Sequence, residues 1–177
     1  YDPSVNAVRP WLASAGSLPT DTDANTPRLI CTWRGRIVLS GLSKDPQNWF
    51  MSAVSDPTDF LYFPEEPSPT QAVSGNNSSL GLSGDVITSL IPYRDDTLIT
   101  GGDHTIWQFS GDPADGGRID LVSDSIGMAW GNPWCKGPDG TLYFVSNRTG
   151  IYAMVPGQGP PKRISQQIEQ LLTPIDP

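Results

Sequence analysis

Three recurrences of one strand-turn-strand pattern, a chain rich in Gly and Pro, and a blade-length spacing between two of the copies predict an all-β fold. The repeated unit is four-stranded and of the β-propeller kind. Gly and Pro number 18 each among 177 residues, which suits short strands joined by tight turns better than long helices.

Residues 1–27 carry Pro3, Pro10, Pro19 and Pro27 and show neither strand nor helix periodicity, so they read as an extended arm. Val8, Trp11 and Leu12 are its apolar anchors and its candidate partner contacts. The blades occupy residues 28–163. In the first copy Leu29-Ile30-Cys31-Thr32-Trp33, the turn Arg34-Gly35 and Arg36-Ile37-Val38-Leu39-Ser40 give strand, turn, strand. A third strand follows over residues 48–53, then a turn at Asp56-Pro57-Thr58-Asp59 and the aromatic run Phe60-Leu61-Tyr62-Phe63.

The second copy runs from Val86 through the turn Arg94-Asp95-Asp96, the strand Thr97-Leu98-Ile99-Thr100 and the strand Thr105-Ile106-Trp107-Gln108-Phe109. The third has its first strand within residues 126–134, then Thr141-Leu142-Tyr143-Phe144-Val145 and Ile151-Tyr152-Ala153-Met154-Val155. Ile37, Leu98 and Leu142 lie 61 and 44 residues apart, and a blade repeats every ~40–50 residues. The longer interval contains residues 64–84, a Pro-, Ser- and Asn-rich stretch that reads as an insertion outside the repeat. Its Pro67 and Pro69 are placed on a blade's outer edge as further candidate contacts.

Trp49, Trp107 and Tyr152 occupy the strand after each central strand, and they are expected at equivalent, buried blade positions. Three blades do not close a ring of roughly four to eight. The chain therefore reads as an incomplete ring, with the remaining blades in polypeptide beyond these ends or in partner chains. It begins at Tyr1 rather than Met, as a piece of something longer would. Residues 164–177 form a short helix and connecting tail, because Ile164, Ile168, Leu171 and Leu172 follow helical spacing behind Ser165 as N-cap.

The formal charge of -8 disfavours a tight duplex-binding surface, which needs clustered cations. Cys31 and Cys135 are the only cysteines and read as buried, unbonded thiols. No leader-like opening and no run of the length that crosses a bilayer is present. His104 is the only histidine, so a histidine metal cage within one chain is excluded, and its loop setting reads as structural. Asp95, Asp96 and Asp103 could gather into a calcium site or a glycosidase carboxylate pair; turn chemistry explains them more simply. Gly111-Asp112-Pro113-Ala114-Asp115-Gly116-Gly117 lacks the Lys-Ser/Thr ending of a phosphate loop. The sequons at Asn76, Asn77 and Asn147 read as chance matches. No catalytic residue, metal ligand or cofactor site is expected.

Several segments together carry a family resemblance: Asp45-Pro46-Gln47-Asn48-Trp49-Phe50, Asp56-Pro57-Thr58-Asp59-Phe60, residues 87–96, Ile106-Trp107 with Gly111-Asp112-Pro113, and Arg163-Ile164-Ser165. Over residues 28–173 the chain resembles the propeller-containing tail hub and nozzle proteins of tailed bacteriophages. The resemblance implies a non-enzymatic structural virion protein, assembled in the bacterial host cytoplasm. It also implies as partners other tail or connector proteins and copies of itself in a symmetric ring, with DNA passing through without specific binding. Two alternatives remain at this point: a sugar- or peptide-binding propeller module of a bacterial surface or secreted protein, and a propeller glycosidase.

Overall fold

The computed structural model describes residues 13–18, 26–78, 84–148 and 150–166. Val8, Trp11 and Leu12, together with residues 167–177 of the expected helix, lie outside the described residues. Strand β1 (Ala15–Gly16) precedes the first four-stranded sheet, which contains β2 (Leu29–Trp33), β3 (Arg36–Ser40) and β4 (Asn48–Met51). After the short β5 (Asp59–Phe60), β6 (Val73–Asn76) completes that sheet. The second sheet is β7 (Ile87–Arg94), β8 (Thr97–Gly102), β9 (Ile106–Ser110) and β10 (Arg118–Ser123). The third is β11 (Trp134–Lys136), β12 (Leu142–Ser146), β13 (Gly150–Met154) and β14 (Lys162–Arg163). Each is an antiparallel meander with its strands side by side in chain order.

Local chemistry sets the turns. Arg34 and Gly35 have φ of 51° and 70°, the two left-handed residues of a tight hairpin turn whose twist matches its strands. Between β7 and β8 the turn is Asp95-Asp96, with a register shift between Pro92 and Arg94.

The sheets pack face to face in series. Leu29, Trp33, Val38, Trp49 and Met51 of the first sheet join Leu90, Leu98 and Phe109 of the second in one buried cluster. Ile91, Tyr93, Ile99 and Ile106, on the second sheet's other face, join Leu142, Phe144, Tyr152 and Met154 of the third. The middle sheet is thus covered on both faces, and all six residues of β8 are buried. This explains the near-continuous apolar run of β7, where a half-exposed strand would alternate. Phe109 meets Trp33 and Trp49 edge-on at centroid distances of 6.3 and 5.1 Å, and each such ring contributes about 2–3 kcal/mol by burial. Polar ties cross both interfaces: Trp33 Nε1 donates to Arg94 O at 2.9 Å, and Tyr93 Oη to Gly140 O at 2.6 Å.

Several sequence expectations are corrected. Strand β5, which opens the aromatic run, pairs in parallel with β1, so residues 15–16, read as part of an extended arm, dock on the fold. The stretch read as an insertion supplies the fourth strand, β6, paired with β4. Trp49, Trp107 and Tyr152 are all buried, but they are not equivalent. Trp107, on the Phe109 face of β9 by strand alternation, and Tyr152 face the preceding sheet, whereas Trp49 faces the following one, and its neighbour Phe50 points the other way. The error is a one-residue slip, which reverses a strand's faces. The third sheet's first strand is Trp134–Lys136, with residues 126–133 as a connection. Lys162 and Arg163 form the last strand, at the end of the span read as blades, and the expected N-cap Ser165 instead accepts with its Oγ from Ile151 N at 3.0 Å. Gln166, the last described residue, follows Ser165 in 3-10 conformation, and the other helical element among the described residues is the 3-10 turn Pro113–Asp115.

Candidate functional site

Among the described residues the Arg36 guanidinium is a fully buried, fully hydrogen-bonded charge. The Arg34-Gly35 turn delivers it to the start of β3, facing the second sheet, and its side chain is wholly buried. All five of its donors are used. Nε and Nη2 form a bidentate pair with Asp112 at 2.9 and 3.1 Å. Nη1 donates to Ser52 O at 2.7 Å and Gln71 O at 2.6 Å, and Nη2 also to Pro69 O at 3.1 Å. Asp112 in turn accepts from Ala114 N at 2.9 Å, capping the 3-10 turn. One ion pair thereby joins β3, the loop before β6 and the segment after β9.

Beside it lies an open cleft of about 410 Å³, lined by Arg34, Val54, Pro69, Thr70, Asp95, Asp112 and Asp115. Three carboxylates in a cleft suggest acid-base chemistry, but their arrangement does not support it. Both Asp112 oxygens are engaged by Arg36, and the Asp95 side chain is 89% exposed, 3.9 Å from Arg34. General acid-base work needs a carboxyl free to exchange its proton, and Asp112 is a counter-ion.

A second polar cluster joins the turns at one end of the second and third sheets. Asp85 accepts from His104 N, Thr105 N and Thr105 Oγ1 at 2.8–2.9 Å. Asp103 accepts from Asn147 Nδ2 and, at 3.4 Å, from Arg148 Nη2. His104 Nδ1 stands 3.2 Å from Asp103 and 3.7 Å from Asp85. Asp95 and Asp96 sit at the other end of β8 from Asp103, so the three carboxylates form no common site. Among the described residues, no group of three or more His, Cys, Asp or Glu is placed to hold a metal ion. No helix among them is long and apolar enough to cross a membrane.

Other sequence-selected residues find definite places. Pro67 and Pro69 are exposed, although the Pro69 carbonyl is held internally by Arg36. Asn77 is buried and donates to Thr100 Oγ1 at 2.7 Å, so it is closed to a glycan. Cys31 and Cys135 are both free thiols, as expected, but neither is fully buried. Cys135 is exposed on the third sheet, and Cys31 is half-buried against the first core cluster, where burial pushes its thiol up to about 12. Asp139 is exposed, and hydrogen bonds from the Thr141 hydroxyl and amide hold its carboxyl below the usual range. It acts as a turn former.

Sequence reasoning missed the Arg36–Asp112 pair, because no local pattern links residues 76 apart. It also passed over the outer face of the third sheet. There Cys135, Tyr143, Ala153 and Lys162 lie in one row across the strands, with Val145 and Ile151 in another. All are exposed or half-buried. A signal existed, since β12 and β13 are apolar at both parities, as strands covered on both faces are. Comparison of the sequence with protein-family models and with curated proteins finds no match.

Proposed function

We propose that this chain is a non-enzymatic structural component of a bacteriophage tail hub or nozzle. Its three sheets act there as consecutive blades of a β-propeller-like ring whose other blades come from neighbouring polypeptide. The observation that carries this reading is the serial packing: each meander sheet covers the next, while the apolar outer face of the third sheet is exposed or half-buried among the described residues. Propellers bury each blade between two neighbours in this way. Partners on this reading are other tail or connector proteins. The charge of -8 suits a conduit, because like charge keeps a passing duplex from adhering. The engaged state of Asp112 weighs against the glycosidase alternative.

The test is electron microscopy of virions carrying the gene, with gold-coupled antibody to the chain. Label at the tail end is the expected result. Label absent from virions and found on host envelope or in secreted fractions would favour the surface binding module and overturn the proposal.

A further inference from the structure

Two surfaces at opposite ends of the stack have complementary character. The outer face of the third sheet presents Tyr143, Val145, Ile151 and Ala153 with Lys162 at its edge, and Val145 is 44% exposed. At the other end, a protruding segment lies over the outer face of the first sheet. Its Tyr62 ring meets Phe50 there at 6.1 Å and Phe60 at 6.5 Å. Phe60 is fully buried, Leu61 N donates to Asp59 Oδ1, and Gln71 Nε2 donates to Tyr62 O. The segment is pinned at alternate residues, and between the pins it presents Leu61 and Phe63 outward.

Phe63 is 90% exposed and Ile30, on the adjoining sheet face, 60%. Exposed Glu65 and Glu66 follow directly. A large aromatic held out beside two carboxylates is the kind of residue that anchors an interface, and it matches an apolar face with a cationic edge.

We infer that the outer face of the third sheet docks the Leu61–Phe63 segment and first-sheet face of a second copy of this chain. The contact is head to tail, with Glu65 and Glu66 against Lys162. It rests on the reading that the stack continues beyond three sheets, and it names what continues it. The contact extends the internal pattern, in which the face a sheet turns toward the chain's C-terminus always receives the opposite kind of face of the next. Because the two surfaces differ, the contact is heterologous and generates a closed ring or an open series according to its rotation.

Sedimentation of the full chain across roughly 1 μM to 1 mM, the range in which modest interfaces associate, should show mass rising from 19.1 kDa in whole-copy steps. Alkylation of Cys135, which lies on the docked face, should slow in parallel. Val145→Glu and Phe63→Ser should each abolish both effects while leaving the thermal midpoint of the dilute protein unchanged. Glu65→Lys with Glu66→Lys should weaken association about tenfold, and adding Lys162→Glu should restore part of that loss.

Constant mass with unslowed alkylation at every concentration overturns the inference. So does association that Phe63→Ser and the charge reversals leave untouched, since a third-sheet face would then be meeting its own kind. Labelling Cys135 in intact particles separates this from the broader reading. Protection there, with a strictly monomeric pure chain, sinks only the self-docking; free reactivity there sinks the continuing stack as well.

Discussion

Arg36 is a charged residue in a position where the hydrophobic effect alone would place a Leu or Met. Its burial is tolerable because every donor has an acceptor and its charge has a bidentate partner. Such a pair adds little over a well-packed apolar replacement, but half of it is costly. Arg36→Ala would leave Asp112 charged and three carbonyls unanswered, and should destabilise the chain by about 3–5 kcal/mol. Arg36→Lys should rescue little, because an ammonium lacks the planar fork that meets four acceptor residues at once. Urea unfolding of both variants and of Asp112→Asn is the check. Additive losses for the Arg36→Ala, Asp112→Asn double variant would show that the two groups do not act as a pair.

At the scale of elements, β6 shows why the sequence misled. Val73-Ser74-Gly75-Asn76 has one apolar residue and a glycine, both poor signals for a strand. It pairs nonetheless, because the Trp49 indole on β4 lies across it. A Cβ on Gly75 would stand 2.4 Å from Trp49 Cζ2, and the Trp49 ring is buried and packed edge-on against Phe109 at 5.1 Å. Gly75→Ala in a relaxed strand would stabilise slightly. Here it should destabilise by about 1–3 kcal/mol through overpacking, and a neutral or stabilising result in denaturant titration would mean that Trp49 does not lie over β6.

The central hairpins were legible for the opposite reason. Residues 29–40 and 87–109 concentrate β-branched and aromatic residues around short turns, so propensity and burial agree there. Where they part company, as in β6, the two-residue β14 and the one-residue slip at Trp49, tertiary packing decides. The polar keystone was illegible altogether, since a buried Arg and an exposed one look alike in sequence until the partner 76 residues away is known.

For the molecule as a whole, the serial packing implies a gradient of stability. The second sheet lies between both core clusters, whereas the first and third each have only one. Opening the third sheet separates one interface, that of the second core cluster, and β14 has only two paired positions to hold it. Opening the second sheet requires both interfaces to separate. Regions with dense apolar contact on both faces exchange their amide hydrogens only on global unfolding, and elements covered on one side open locally at lower free energy. Native-state hydrogen exchange should therefore find the slowest amides in β8 and β9. Those of β11, β14 and the β1–β5 pair should be the fastest among the strands, with β12 and β13 between. Slowest exchange in the third sheet of the dilute chain would contradict the serial arrangement. If a neighbour covers the face carrying Val145 and Ile151, the amides of β12 and β13 should slow toward those of β8 as concentration rises, while β8 itself changes little.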